Sequence, residues 1–276
     1  MGMAELKNLI DELNELSCAF PDKLRKSVLQ SAVEGKLVPQ DPKDEPASIL
    51  VERIAEARKA LVKAGKIKRD KHESVIFRGS DRLTYETRNG ETVCIEDELP
   101  FKIPESWAWV RFGSIVKTWT GKTPPRCDAI WWGSDVPWVS IADMKDGATI
   151  SSTREGVTNA AVDKTFGHHI SPIGTLIMSF KLTIGKVSIL GVPAVHNEAI
   201  ISIFPYYDTA NILRNYLFLV LPLIAPLGKA KDAIMGNTLN SSSLADLMVP
   251  LPPLAEQKRI VAQIETMLKV SAALTT

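Results

Sequence analysis

Several stretches of this sequence hold residue types that do chemistry when their spacing is right. Gly121-Lys122-Thr123 has the closing residues of a phosphate-binding loop, G-x-x-x-x-G-K-S/T, in which backbone N–H groups cradle phosphate and the lysine neutralises it. That loop needs a further glycine at position 116, where Val116 stands, and Pro124 and Pro125 break the helix that should follow. Pro21-Asp22 with Glu34-Gly35-Lys36 spells a nuclease pattern, P-D followed by E-x-K, whose carboxylates must converge on a metal from sheet edges. Both pieces fall on stretches of helical periodicity, so the pattern reads as chance. A base methyltransferase needs a Gly-rich cofactor turn and a proline-aromatic loop that holds the extruded base. Phe204-Pro205-Tyr206-Tyr207 lacks the preceding Asn or Asp, and no such turn is present. His168, His169 and His196 have no partners at metal-ligand spacing. Cys18, Cys94 and Cys127 lie far apart with no C-x-x-C pair and read as free thiols. No serine has an identifiable histidine and acid partner. The expectation is a chain with no catalytic residue and no metal site of its own.

Composition narrows the class further. Apolar residues make up 45% of the 276 and charged residues 24%, a balance that fits a soluble globular protein and not a disordered or fibrous one. Lysine and arginine number 33 against 32 acidic residues, and a net charge of +1 argues against a surface that grips phosphate everywhere. It leaves open a local basic patch. Met1 is followed by Glu5, Lys7, Asp11 and Glu12 and by no apolar core behind basic residues, so no secretory signal is expected. Tyr216 to Leu227 is the longest apolar-leaning run, too short and too interrupted by Pro222 and Pro226 to cross a bilayer. An intracellular, cytoplasmic protein is the expectation.

The elements that must position any functional side chain follow from periodicity. Leu6, Leu9, Leu13, Leu16 and Phe20 step by three and four, a coiled-coil-like seam, and after a break at Phe20-Pro21 the stripe resumes at Leu24, Val28 and Ala32, ending at Gly35. Residues 35–48, rich in proline and turn formers, read as an extended connector. A further helix is expected from about Pro46 to Ala64, with Ile49 or Leu50, Ile54, Ala57 and Leu61 on one face and Gly65 as its stop. The basic run after it, from Lys63 to Lys71, suits a helix C-terminus and a solvated face. Asn89-Gly90 is a type I′ turn signal and predicts a small hairpin within residues 73–99. From Pro100 to Leu251 strands and turns alternate with helical interludes. All six tryptophans fall there, between Trp107 and Trp138. Trp107, Trp109 and Trp138 are assigned to packing, because paired duplex has no open base face on which a ring stacks. Pro252 and Pro253 then fit the start of a last helix, with Leu254, Gln257, Val261, Ile264 and Leu268 along one side that calls for a helical partner.

Several of these runs carry a resemblance. Pro250-Leu251-Pro252-Pro253-Leu254-Ala255-Glu256-Gln257-Lys258-Arg259-Ile260-Val261 resembles the junction between a target-recognition domain and a spacer helix in specificity subunits of Type I restriction-modification enzymes. Leu24 to Gln30 with the connector is similar to the segment after a spacer helix in that family. Thr120 to Pro125, Val136 to Asp143 and Gly174 to Lys186 resemble the first half of such a recognition domain, in matching order. Asn197-Glu198 stands where the family often carries Asn-Gln, a departure that puts any role copied from that glutamine in doubt.

The resemblance implies an α+β chain: a mixed α/β recognition domain over residues 100–251, flanked by long coiled-coil-forming spacer helices. Residues 1–72 would be the N-terminal helical region, 73–99 a connector with a hairpin, and 252–276 the C-terminal spacer helix. It implies a non-catalytic subunit that reads one half of a bipartite site in double-stranded DNA and docks methyltransferase (M) and restriction (R) subunits. S-adenosylmethionine, ATP and magnesium would then sit on those partners and none on this chain. A full-length member carries two recognition domains and this chain has room for one. The expectation is therefore either a half-subunit working as a homodimer through its spacer helices or, as the end at Thr275-Thr276 in mid-pattern favours, a chain cut after its first spacer helix. The candidate DNA contacts are basic groups in predicted loops: Lys122, Arg126, Lys145, Arg154, Lys181 and Lys186. Arginine suits bidentate contact with guanine and lysine suits phosphate. The rival expectation is a catalytic methyltransferase or nuclease subunit with an unfamiliar site.

Overall fold

A computed structural model describes residues 23–69, 73–181, 183–228 and 241–273. Helix α1, seen over residues 23–33, buries Val28 and Ala32 as their spacing requires, and Gly35 closes it at φ +69°. The stripe from Leu6 to Phe20, and the break expected at Phe20-Pro21, lie outside the described residues. Helix α2 (Ala47–Lys63) starts after Pro46, whose extended ψ of 151° suits the N-cap position. Its buried face is Ala47, Leu50, Ile54 and Arg58, not the Ala57 and Leu61 read from the stripe. The face rotates because the Arg58 guanidinium lies 5.6 Å from the Tyr206 ring centre and 3.7 Å from Glu73, while its stem covers apolar surface.

Strands β1 (Ser74–Arg78), β2 (Thr84–Arg88) and β3 (Glu91–Cys94) form an antiparallel meander. Asn89 and Gly90 take φ of 57° and 83° between β2 and β3, the left-handed pair that a type I′ turn demands. The expected hairpin is there, with β1 as a third strand. β4 (Ala108–Arg111) follows and leads through the single turn α3 (Phe112–Ile115) into β5 (Val116–Thr120). Then come β6 (Trp132–Val139), β7 (Ala148–Ile150), β8 (Glu155–Val157), the short α4 (Asn159–Lys164), β9 (Leu176–Ser179), β10 (Val187–Leu190), β11 (Val195–His196) and β12 (Ile200–Pro205). The chain closes with α5 (Ile212–Leu227), α6 (Ser241–Ala245), β13 (Met248–Leu251) and α7 (Leu254–Ala273).

Five strands make the central sheet in the order β5-β12-β9-β10-β7, antiparallel except for the parallel pair β10 and β7. Every residue of β9 is buried, as expected of a strand covered on both faces. Its side chains alternate between two cores: Leu176 and Met178 join the large one with α5, and Ile177 joins a smaller one with Val139, Ile150 and Leu190. A second sheet, β11-β6-β8, carries the third cluster, in which Val136, Trp138 and Phe166 pack together. Trp107, Trp109 and Trp138 are all buried, as assigned.

α5 runs unbroken through Pro222 and Pro226 over 16 residues, half of them buried, and packs against the central sheet and α7. Each proline forfeits one backbone bond, and tertiary packing of the apolar helix outweighs that loss. No helix among the described residues is long and apolar enough to cross a membrane.

The start of α7 explains its sequence. Glu256 is buried and accepts hydrogen bonds from Trp107 Nε1 at 2.9 Å and Gln40 Nε2 at 2.5 Å. Burial raises its pKa from the usual carboxylate value, and these two bonds oppose the shift. Gln257 Nε2 donates to Pro252 O at 2.9 Å, and the Arg259 guanidinium holds Asp44 at 2.5 and 3.2 Å. Glu256 and Arg259 thus latch the 35–48 connector onto the start of α7. Of the stripe read from the sequence, Gln257 and Ile264 are buried and Leu254, Val261 and Leu268 half-buried, while Ile260, off the stripe, is fully buried. A helical partner for this face is α5 of the same chain.

Candidate nucleic-acid interface

Strand register decides where the basic loops emerge. Thr120 at the end of β5 pairs with Ile201, Ile200 at the start of β12 pairs with Ser179 at the end of β9, and Val187 at the start of β10 pairs with Met178. Ala148, the first residue of β7, pairs with Ser188. These termini share one end of the central sheet. Lys122 and Arg126 (after β5), Lys145 (before β7), and Lys181 and Lys186 (between β9 and β10) therefore leave the sheet together. Arg154 comes by another route: Glu155 pairs with Trp138 near the end of β6, and the Arg154 backbone N donates to Asp143 Oδ1 at 3.0 Å. All six sequence candidates sit on this loop cluster.

The six are not equivalent. Lys122 and Lys145 are exposed, with no ion pair among the described residues. The Lys181 ammonium is 5.4 Å from the Phe180 ring centre, and Lys186 Nζ donates to Ile141 O at 3.4 Å, tying the β9–β10 turn to the loop after β6. Arg154 Nε is 3.8 Å from Asp143. Arg126 is the most constrained: its guanidinium lies 4.0 Å from the ring centre of Trp132 and 4.8 Å from that of Trp138, and it grips Glu155 at 2.5 and 3.2 Å.

The loop that carries Lys122 and Arg126 is held by its backbone. Lys122 N donates to His196 O at 2.8 Å, Trp138 Nε1 donates to Lys122 O at 3.1 Å, and Trp132 Nε1 donates to Pro125 O at 3.1 Å. The indoles therefore pack and also fix the path of the loop. Gly121 passes against the β11–β12 corner, where a Cβ would lie 1.9 Å from His196 O. No phosphate-loop helix follows: residues 121–125 have no regular structure.

Behind this loop lies a neutral polar chain. His196 Nε2 is 2.8 Å from Ser202 Oγ, which is 2.7 Å from Ser171 Oγ, and His169 Nε2 is 3.3 Å from the same Ser171. Trp119 stacks on His169 at 3.9 Å and meets His196 edge-on. Burial pushes the His196 pKa down to about 4, so the ring is uncharged at neutral pH. Among the described residues no group of His, Cys, Asp and Glu is placed to hold a metal ion. These histidines are scaffold.

Sequence reasoning passed over one carboxylate in the cluster, Glu155, and marked a second, Glu198, only as a departure from the family pattern. Glu155 neutralises Arg126. Glu198 accepts a hydrogen bond from Thr123 Oγ1, which together with Lys181 and Arg126 nearby holds its carboxyl below the usual range. Nothing in the sequence marked Glu155, since its pairing depends on β8 lying beside β6.

A rigid strand lobe that sends basic loops from one end, clasped by helices from both ends of the described chain, defines a recognition module carried on helices. A family model described as the Type I restriction modification DNA specificity domain matches residues 104–276, and the chain belongs to that family. It is 45% identical over 97 residues to the specificity subunit of the Type I restriction enzyme EcoAI of Escherichia coli, a match covering 35% of this chain and 13% of that protein. It is 29% identical over 164 residues to the MjaIX specificity subunit of Methanocaldococcus jannaschii, covering 58% and 37% respectively. A chain solved in work on complex assembly and conformational transition of the type I R-M system superposes with a TM-score of 0.51 at 16% identity, and shares the fold. That superposition takes in 99% of this chain and 52% of the solved one, so this chain spans about half its length.

Proposed function

We propose that this chain reads one half of a bipartite site in double-stranded DNA, as the non-catalytic specificity component of a Type I restriction-modification complex. The observation that carries the reading is the gathering of five basic candidates at one end of the central sheet, with Arg154 joined to them through Asp143, in a protein of near-zero net charge. Base readout needs donors and acceptors held still against the major groove, and a loop pinned by the buried Trp138 and half-buried Trp132 indoles supplies that. The other half-site falls to a second recognition module, carried by a second copy or by the remainder of a longer chain. Methyltransferase and restriction subunits docked on the helices bring S-adenosylmethionine, ATP and magnesium and perform the reaction in the cytoplasm.

The test is duplex binding by the full chain across a salt series. We expect affinity to fall steeply between roughly 50 and 200 mM salt, and Lys122→Ala to reduce the slope by about one phosphate contact. Arg126→Ala weakens binding in the same assay. Affinity indifferent to salt, with both variants at wild-type strength, sinks the reading. Turnover by the chain alone, given duplex, magnesium and a methyl donor, favours the catalytic alternative.

A further inference from the structure

Six cations and several carboxylates meet on the loop cluster, and the carboxylates differ in how they are occupied. Glu155 is ion-paired with Arg126, Asp143 with Arg154, and Asp146 with Arg25 at 3.5 Å. Glu198 has no ion pair among the described residues. It accepts the Thr123 hydroxyl, it is exposed, and the charges of Lys181 and Arg126 act on it. A surface meant to meet phosphates is weakened by an ionised carboxylate at its centre, since the DNA backbone repels it. An acceptor-only group in that position suits one class of partner on the duplex, an exocyclic amino group on a base edge. In the major groove cytosine presents the N4 donor with no acceptor of its own on that edge to repel the carboxylate, whereas adenine carries the N7 acceptor beside N6.

Resting on the DNA-reading assignment above, we infer that Glu198 is a specificity-determining residue whose carboxylate accepts a hydrogen bond from the N4 amino group of a cytosine. The residue is built for the task. It sits between His196, locked by Ser202, and the buried start of β12, so its backbone is fixed. Asn197 tightens the same corner, its Oδ1 accepting from Ala199 N at 3.0 Å and its backbone N donating to Val139 O at 3.1 Å. Thr123 then orients the carboxylate from the opposite loop. The Thr123 hydroxyl, with Lys181 and Arg126 nearby, keeps it ionised, and the exposed Lys122 is left to take a phosphate.

The experiment is selection of bound duplexes from a randomised pool by the full chain, compared among wild type, Glu198→Gln and Glu198→Ala, with circular dichroism to show that each variant is folded. Wild type is expected to enrich a sequence containing at least one strictly required cytosine. The amide introduced by Glu198→Gln offers both a donor and an acceptor, the pairing that suits adenine N6 and N7, so that one position moves from cytosine to adenine while the others stay. Glu198→Ala flattens the preference at the same position, by on the order of tenfold. If wild type selects a sequence and both variants keep its preference at every position, Glu198 reads no base and the inference is overturned while DNA reading stands. A uniform loss of affinity with unchanged preference overturns it as well. If wild type enriches nothing, the DNA-reading assignment falls, and this inference with it. Should Glu198→Ala fail to fold, the near-isosteric Glu198→Gln decides the matter alone.

Discussion

Gly121 and His196 set the tightest point of the candidate interface. A Cβ at 121 would lie 1.9 Å from His196 O and 2.3 Å from its Nδ1, and neither neighbour can withdraw, because one is backbone and the other is anchored by Ser202. Gly121→Ala is therefore expected to cost about 3 kcal/mol or more, read as a lowered denaturant midpoint. An unchanged midpoint would show that the corner yields. His196 makes a separate prediction through pH. Its folded pKa is depressed from 6.5 to about 4, so the unfolded chain takes up a proton that the folded one refuses in that window. Stability from this group is complete above pH 6.5 and is lost progressively as pH falls toward 4, on the order of 3 kcal/mol in all. The unfolding free energy measured at about pH 7 and about pH 5 should differ in the wild type, and differ less in His196→Gln. At this scale the sequence disclosed residue types and little of their roles. The six basic candidates were legible as loop charges, yet Arg126 proves to be clamped by Glu155 and two indoles, which only the neighbouring strands bring within reach.

At the scale of elements, periodicity located α1, α2 and α7 but not α5, whose two prolines made it read as a broken apolar run, and it placed buried faces less well. α1 and α2 end where glycine at positive φ allows, at Gly35 and Gly65, and both stops follow from residue type. The β2–β3 turn was fixed in the same way by Asn89-Gly90. The faces depended on what each helix meets. α2 turns to bury Arg58 because Tyr206 and Glu73 receive it, and α7 buries Ile260 with Ile264 because α5 lies against it. α7 is thus fastened in its first turns, by Glu256 to Trp107, by Arg259 to Asp44 of the connector, and by these two isoleucines in the core. Ile264→Ala removes a fully buried side chain from that contact and should destabilise the folded chain by about 3 kcal/mol, measured by denaturant titration. A loss within a few tenths would mean that α7 is held by its polar latch alone.

Across the whole molecule one large core joins segments far apart in the chain. Val28 and Leu29 of α1, Leu50 and Ile54 of α2, Trp107, Phe112, Met178, Tyr216 and Ile264 all belong to it. Helices at both ends of the described chain and the strand lobe therefore share buried surface, and close packing in one core fixes their places relative to one another. The sequence by itself determined what is local: where helices stop, where the hairpin turns, which rings are too large to leave in water, and the family, whose junction motif survives as an unbroken run of residues. Tertiary structure alone decided which loops share an end of the sheet, which cations are already neutralised, and that Glu198 is left without an ion pair among the described residues. Those facts depend on strand order and register, set by pairings such as Thr120 with Ile201 across about eighty residues of intervening chain, and no local spacing encodes them.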